Sequence, residues 1–272
     1  MKRKICVIIR VFNRIKDLEF NLEIIRKTWT TNEYYVIVSS NGEQNGYMLT
    51  DCIISHSDKV VKCEGNGGHL KGNSLLLLQA IPSIPKDCNY TLLLEADTWL
   101  YKDTLINKYL EELERTGAVW ASAQWYDRYY SLATDFALIN SNYLINNKNI
   151  LNFGNYPETY VANYLIENNQ KYILIKENML PQLPSYIKRY PYAPEGRFFV
   201  FPLSRMVTHH VELLKGGMNE KIRDFNSMSD NFFEIENVKW PKLKLLWIYI
   251  VFSSSFLFLR RSWYTNIKKF DS

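Results

Sequence analysis

Two carboxylates follow an apolar run in the segment Tyr90-Thr-Leu-Leu-Leu-Glu95-Ala-Asp97. Side chains alternate between the two faces of an extended chain, so Glu95 and Asp97 should point the same way beyond a strand end. Open α/β sheets bind their ligands at such strand ends. Two hard carboxylate oxygens there suit Mg²⁺ or Mn²⁺ holding a diphosphate. The other interpretation is an acidic turn that only leads into the helix predicted to begin at Asp103.

The elements around this pair alternate between strand and helix. Strands are predicted at 5–12, 34–39, 90–94, 118–125 and 172–176, with short extended pieces at 51–55 and 59–63. Helices are predicted at 17–28, 73–81, 103–115 and 158–168. This alternation predicts an α/β fold with a mostly parallel sheet built from βαβ units.

Composition bounds the class of protein. The chain has 272 residues, 47% of them hydrophobic, which suits one large domain or one domain with an appendage. A net charge of +5 and a pI of about 8.8 fit an anionic substrate or an anionic membrane surface. No dense Lys/Arg stripe or zinc-finger spacing occurs, so nucleic acid is not an expected partner. The four cysteines form no CxxC pair, as is typical of reduced, buried cysteines in a cytosolic protein.

Four segments, in this order, resemble the GT-A nucleotide-sugar glycosyltransferases, in particular the family-2-like group. They are 7–14, 35–42, 68–74 and 92–97, similar to the family's opening strand, second strand, glycine-containing segment and metal-binding strand end. The resemblance implies a Rossmann-like GT-A fold, with a mostly parallel mixed sheet flanked by helices. It also implies a hexosyltransferase-type enzyme that uses a nucleotide-diphosphate sugar and a glycan or lipid-linked acceptor in polysaccharide biosynthesis.

Three positions depart from the family pattern. Arg10 stands where proline is usual, and Ser40 stands where an aspartate commonly contacts the base or ribose. Glu95 replaces the first aspartate of the metal motif but keeps its charge and oxygen chemistry, so a metal or ribose contact is still expected.

The resemblance assigns roles to individual residues. Asp97 would coordinate Mn²⁺ or Mg²⁺, which stabilises the charge that develops on the departing diphosphate. Glu95 would contact the ribose, or the metal through water, and His210 of the His209–His210 pair would be a third metal ligand or a phosphate contact. The remaining residues implied to bind the nucleotide sugar are Phe12, Asn13, Arg14, Ser40, Asn41, Lys71 and Asn73.

An inverting transferase also needs a general base to take the proton of the acceptor hydroxyl. The segment from residue 154 resembles the helix start that carries this carboxylate in the family, which makes Glu158 the candidate. Asp127 and Asp135 are the reserve candidates. Alternatively, Glu158 only interacts with the helix dipole in the first turn, and retaining chemistry stays open.

The last part of the chain differs from the rest in its amino-acid composition. Five of the nine prolines fall in 181–202, which indicates a connector and divides the chain into a GT-A domain, 1–202, and a C-terminal extension, 203–272. The apolar run after Lys244 is shorter than the about 20 residues that span a bilayer, and aromatic and basic residues surround it. We expect the extension to lie at the acceptor side or on a membrane surface. Residues 240–269 would make peripheral contact with the inner face of the cell membrane in a cytoplasmic protein, and a core helix is the alternative.

Two other functions remain open. Sugar-phosphate nucleotidyltransferases use a similar sheet, but their glycine-rich N-terminal loop is missing where Phe12-Asn13-Arg14 ends the first strand. A non-catalytic, GT-A-like binding or scaffold protein is the other alternative, and the departures at Ser40 and Glu95 favour it.

Overall fold

The computed structural model describes residues 2–65, 67–125, 130–179, 199–208, 211, 214–234, 246–247 and 249–250. The strands in these parts are β1 (Lys4–Val11), β2 (Glu33–Ser40), β3 (Lys59–Lys62), β4 (Tyr90–Glu95), β5 (Trp99–Leu100), β6 (Trp120–Ser122), β7 (Phe136–Asn140), β8 (Tyr172–Leu174), β9 (Phe199–Phe201) and β10 (Met206–Thr208). The α-helices are α1 (Ile15–Thr28), α2 (Asp51–His56), α3 (His69–Ala80), α4 (Thr104–Thr116), α5 (Ser141–Asn146), α6 (Pro157–Glu167) and α7 (Gly217–Asn226).

Seven strands form one mixed sheet in the order β3-β2-β1-β4-β7-β6-β8. The four strands from β3 to β4 are parallel neighbours, β7 is antiparallel to both β4 and β6, and β6 and β8 are parallel. Helices cover both faces of this sheet. The predicted α/β class with a mostly parallel sheet is therefore confirmed.

Strand β1 lies in the middle of the parallel part and is buried on both faces. Ile5, Val7 and Ile9 face a core that includes apolar residues of α1 and α4. Cys6 and Ile8 face a second core that includes residues of α3 and α6. A strand that is covered on both sides is apolar almost throughout, and the first polar residue near its end, Arg10, therefore stands out.

Two local predictions were wrong. Residues 51–55 are not extended but belong to α2, because the Thr50 hydroxyl caps the helix by accepting from the Ile53 amide at 3.4 Å. Only Ile53 in this helix is buried, so the β-branched pair at 53 and 54 has no sheet surface to pack on. Helix α3 begins at His69, directly after Gly68 with a φ of +78°, so Asn73 lies inside the helix rather than at its start.

A second, three-stranded antiparallel sheet has the order β5-β10-β9. Val207 of β10 pairs with Trp99 of β5, and α7 packs beside β10. The predicted boundary after residue 202 falls between β9 and β10, which pair with each other. Strand β10, in the described part of the C-terminal extension, therefore pairs with the strand that begins two residues after Asp97.

Most of the segment 240–269 lies outside the described residues. Among the helices that the structure does describe, none is both long and apolar enough to cross a membrane.

Candidate active site

A cavity of about 550 Å³ opens where the parallel strands β1, β2 and β4 end. Its volume is in the range of small-ligand sites, and its position at the strand ends is where open α/β sheets bind ligands. It brings together most of the side chains that the sequence nominated, namely Phe12, Asn13, Arg14, Asn41, Asn73, Glu95, Asp97, Asp135 and Glu158.

Two of the other residues predicted for the site lie outside the cavity. Ser40 is buried at the end of β2 and is not among the lining residues, and Lys71 is exposed on α3 outside the cavity. Asp127, His209 and His210 fall outside the described residues.

Arg10 is a member of the site that sequence reasoning noted only as a departure from the family pattern. Its guanidinium is buried, forms an ion pair with the Glu95 carboxylate, and donates through Nη1 to the Thr134 carbonyl at 2.9 Å. Nη2 also lies 3.3 Å from the Thr134 hydroxyl. Glu95 is therefore held by a cation of the protein itself.

Asp97 is the second carboxylate of the strand end and is only 6% exposed. Arg14 Nε lies 3.9 Å from its Oδ2. Within the described residues, no three His, Cys, Asp or Glu side chains come close enough to enclose a metal ion. A cation at Asp97 would therefore take most of its ligands from phosphate oxygens and water, as Mg²⁺ commonly does.

The charge of the cavity bears on that cation. Its described lining carries two guanidinium groups and four carboxylates, a formal net charge of −2 when all are ionised. Such a lining repels a diphosphate unless a cation accompanies it. The donor set at Asp97 and the net charge together fit a divalent metal that arrives with its phosphate ligand.

Glu158 enters the cavity from the first turn of α6, just after Pro157 at the helix start. Burial is the largest cause that raises the pKa of its carboxyl. The nearby carboxylates of Glu95 and Asp135 raise this pKa further, and Arg10 opposes them. A carboxylate whose pKa is moved toward neutrality is a better general base.

The side of the cavity formed by β1 and β2 has a flat aromatic face and an unpaired acceptor. Phe12 lines it and packs edge-on against Tyr47, with ring centroids 5.2 Å apart. Asn41 Oδ1 is buried and has no hydrogen-bond partner among the described residues. Gly42 allows this close packing, since a Cβ there would lie 2.0 Å from the Phe12 carbonyl oxygen. A planar ligand that carries an N–H group suits this surface.

Two aromatic residues at the other side of the cavity were missed by sequence reasoning. Tyr156 is 56% exposed and has a left-handed φ of +46°, an uncommon conformation for a non-glycine residue. Trp125 packs edge-on against Phe199 at 6.0 Å. Aromatic residues were too frequent in the chain, with 19 tyrosines, for either to stand out.

No protein-family model and no curated protein sequence matches this chain. The mannosyltransferase PcManGT from Pyrobaculum calidifontis, solved in complex with GDP-Man and Mn²⁺, is a similar structure with 12% identity and a TM-score of 0.49. The alignment covers 85% of this chain and 69% of that one. Mouse xyloside xylosyltransferase 1, in its apo form, has 10% identity and a TM-score of 0.45, with 75% and 93% covered.

A 4-diphosphocytidyl-2C-methyl-D-erythritolsynthase from Anaerococcus prevotii is also similar, with 10% identity and a TM-score of 0.44, over 64% of this chain and 88% of that one. At these identities and TM-scores, neither a substrate nor a mechanism transfers from these proteins to this chain. The case for a function therefore depends on the residues of the cavity.

Proposed function

We propose that this chain is a GT-A glycosyltransferase that moves a sugar from a nucleotide-diphosphate donor to a glycan or lipid-linked glycan. The observation that carries the proposal is that Asp97, Asn41 and Glu158, from three separate elements, line one cavity at the strand ends. These residues supply a site for a metal-bound phosphate, an acceptor for a nucleobase N–H and a candidate base.

The donor would lie across the ends of β1, β2 and β4. Its base would pack near Phe12 with an N–H directed at Asn41 Oδ1, and its diphosphate would lie near Arg14 and Asp97. Mn²⁺ or Mg²⁺ at Asp97, once bound, would neutralise charge on the departing diphosphate. Arg14 Nε, 3.9 Å from Asp97 Oδ2, is close enough to contact a phosphate group that is bound to a cation at Asp97.

Glu158 is the proposed base for an inverting transfer. Its carboxylate would remove the proton of the acceptor hydroxyl, and its raised pKa favours that transfer. Asp135 lines the same cavity and remains the reserve candidate. Tyr156 and Trp125, at this side of the cavity, offer apolar ring faces to an acceptor sugar.

The ion pair with Arg10 supports a contact of Glu95 with the donor ribose rather than with a metal. We therefore assign the metal to Asp97. His210 as a further ligand and Asp127 as a reserve base stay predictions.

Contact with a membrane is the last part of the proposal. Leu246, Trp247 and Ile250 are exposed, and their spacing places them on one side of a helical turn. Tyr249 instead donates to the Pro202 carbonyl at 3.2 Å. Exposed apolar residues beside the basic end of the chain suit the interface of an anionic bilayer.

The test is thermal unfolding of the full chain with UDP, GDP, CDP and ADP, each with and without Mn²⁺, for the wild type and Asp97→Asn. Binding to the native state raises the melting temperature by mass action. We expect one nucleotide to stabilise the wild type only with Mn²⁺, and Asp97→Asn to lose the effect. The matched control, Asp87→Asn, removes an exposed carboxylate outside the cavity and should keep it.

Two outcomes would contradict the proposal. Pyrophosphate release from a nucleoside triphosphate and a sugar 1-phosphate would identify a nucleotidyltransferase. No shift with any nucleotide would favour a non-catalytic binding protein.

A further inference from the structure

Residues 95–98 contain the two carboxylates, and their four main-chain carbonyl oxygens all lie within hydrogen-bonding distance of two buried side chains. Asn21 Nδ2 on α1 lies 3.1, 3.2 and 2.9 Å from the carbonyl oxygens of residues 95, 96 and 98. Lys221 Nζ on α7 donates to the remaining carbonyl, that of Asp97, at 2.6 Å. Side chains of α1 and α7 therefore hold the backbone of this turn, while the side chains of Glu95 and Asp97 line the cavity.

Lys221 is an unusual donor for this purpose because its side chain is 0% exposed. Its ammonium forms an ion pair with Asp17 Oδ1 at 2.6 Å and lies 4.2 Å from the ring centroid of Trp99. Trp99 Nε1 in turn donates to the Asp17 carbonyl at 3.1 Å. A buried cation is costly unless it is paired and hydrogen-bonded. Among the described residues, the ammonium of Lys221 contacts Asp17 on α1, the Asp97 carbonyl in the turn after β4, and Trp99 at the start of β5.

We propose that Lys221 is a positioning residue for Asp97, so that helix α7 belongs to the donor site although it does not line the cavity. The inference rests on the proposed function, in which the Asp97 carboxylate binds a divalent cation. A bond to the Asp97 carbonyl fixes the peptide plane next to that carboxylate and limits the directions in which it can point. Groups that orient a metal ligand through hydrogen bonds typically change metal affinity about 10- to 100-fold when they are removed.

The competing interpretation is that the Lys221–Asp17 pair only attaches α7 to the fold. A double variant separates the two. Lys221→Met alone leaves the Asp17 carboxylate buried without its partner, whereas Asp17→Asn/Lys221→Met removes both charges. The double variant should therefore recover stability, but it still lacks a donor for the Asp97 carbonyl.

The experiment measures Mn²⁺ affinity by titration of the full chain, in the presence of UDP and then of GDP. The variants are Lys221→Met, the double variant, Asp97→Asn and the control Leu113→Ala. Leu113 is buried on α4 in the same core and has no polar side-chain group to bond to residues 95–98. Its truncation lowers stability without removing a donor from the turn.

We expect both Lys221 variants to bind Mn²⁺ about 10- to 100-fold more weakly, while Leu113→Ala keeps the wild-type affinity. Hydrogen exchange of the amides at 95–98 should also become faster in the double variant and remain unchanged in Leu113→Ala. Wild-type Mn²⁺ affinity in the double variant, with binding lost in Asp97→Asn, would overturn the role of Lys221 and leave the proposed function intact. Equal Mn²⁺ binding by wild type and Asp97→Asn would instead overturn the proposed metal site, and this inference with it.

Discussion

Arg10 and Glu95 lie directly opposite each other in the pairing of β1 with β4, and their side chains form an ion pair at the floor of the cavity. Position 10, where the GT-A pattern that the sequence resembles has proline, therefore supplies a positive charge to Glu95, which stands where that pattern has aspartate. The two departures from that pattern are therefore in direct contact. Because of this pairing, the proposed site for the cation is Asp97, whose contact with Arg14 is longer, with Nε and Oδ2 3.9 Å apart.

Arg10→Met should destabilise the fold. Arg10 is buried and Glu95 is partly exposed, so the loss should be about 2–3 kcal/mol, below the cost of breaking a fully buried pair. Urea unfolding of the ligand-free chain measures it. Arg3→Met, which breaks an exposed pair with Glu114, is the matched control and should cost less than about 1 kcal/mol. Equal losses in the two variants would mean that the Arg10–Glu95 pair stabilises the fold no more than an exposed ion pair does.

Asn41→Ala should weaken nucleotide binding with little effect on the empty fold. The buried Oδ1 has no hydrogen-bond partner among the described residues, so its removal should leave the free energy of unfolding almost unchanged. Loss of one hydrogen bond to a bound base corresponds to about a tenfold weaker dissociation constant. Calorimetric titration with the stabilising nucleotide and Mn²⁺ measures this. An unchanged dissociation constant would remove Asn41 from the base site.

Glu158→Gln should abolish transfer but not donor binding. Loss of a general base typically lowers kcat about 10²- to 10⁴-fold, and the amide keeps the size of the side chain. The control is Glu167→Gln at the exposed end of the same helix, which should retain activity. Loss of donor binding equal to the loss of kcat would show that Glu158 holds the donor rather than the acceptor proton.

The pH dependence of kcat should reflect the raised pKa of Glu158. The base acts when deprotonated, so the rate should rise with pH through a value above the ordinary 4.5 of a glutamate. Arg10 lowers this pKa, so Arg10→Met should move the acidic limb of the profile to higher pH. Rate profiles of the two proteins test this. A limb that stays in place would separate Glu158 from the titration that controls the rate.

The raised pKa of Glu158 should also lower the stability of the fold at neutral pH. A carboxyl whose pKa is raised in the folded state binds its proton more tightly there than when unfolded. The fold therefore loses stability as the pH rises from the ordinary value of 4.5 to the folded value, and the loss is complete above the folded value. Glu158→Gln should therefore melt at a higher temperature than the wild type at neutral pH. The difference should shrink as the pH is lowered from the folded pKa and should vanish below the unfolded value of 4.5, where the Glu158 carboxyl is neutral in both states. Scans at several pH values measure it.

The sequence was sufficient to predict which strand ends form the site, but not which buried side chains hold the site residues in place. The apolar run of β4 ends in two spaced carboxylates, which predicted that Glu95 and Asp97 meet at one edge of the sheet, and the resemblance to the GT-A pattern added Asn41 at the end of β2. The pairing of Arg10 with Glu95 depends on the register between parallel strands, which no local pattern encodes. The role of Lys221 is harder still to predict, since a lysine on a polar helix is ordinarily solvated. In this fold Lys221 is wholly buried. Such supporting groups are specified by tertiary packing alone.

Trp247→Ser/Ile250→Ser should weaken binding to anionic vesicles. Both side chains are about half exposed on the same helical turn, and each apolar side chain that enters the interface adds to membrane affinity. Sedimentation with phosphatidylserine-containing and with neutral vesicles measures binding of the full chain. The matched control is Met48→Ser/Ile54→Ser, which removes two exposed apolar side chains elsewhere on the fold. Binding that falls equally in both double variants, or in neither, would exclude this turn as the membrane contact, since only a specific interface depends on which apolar residues are removed.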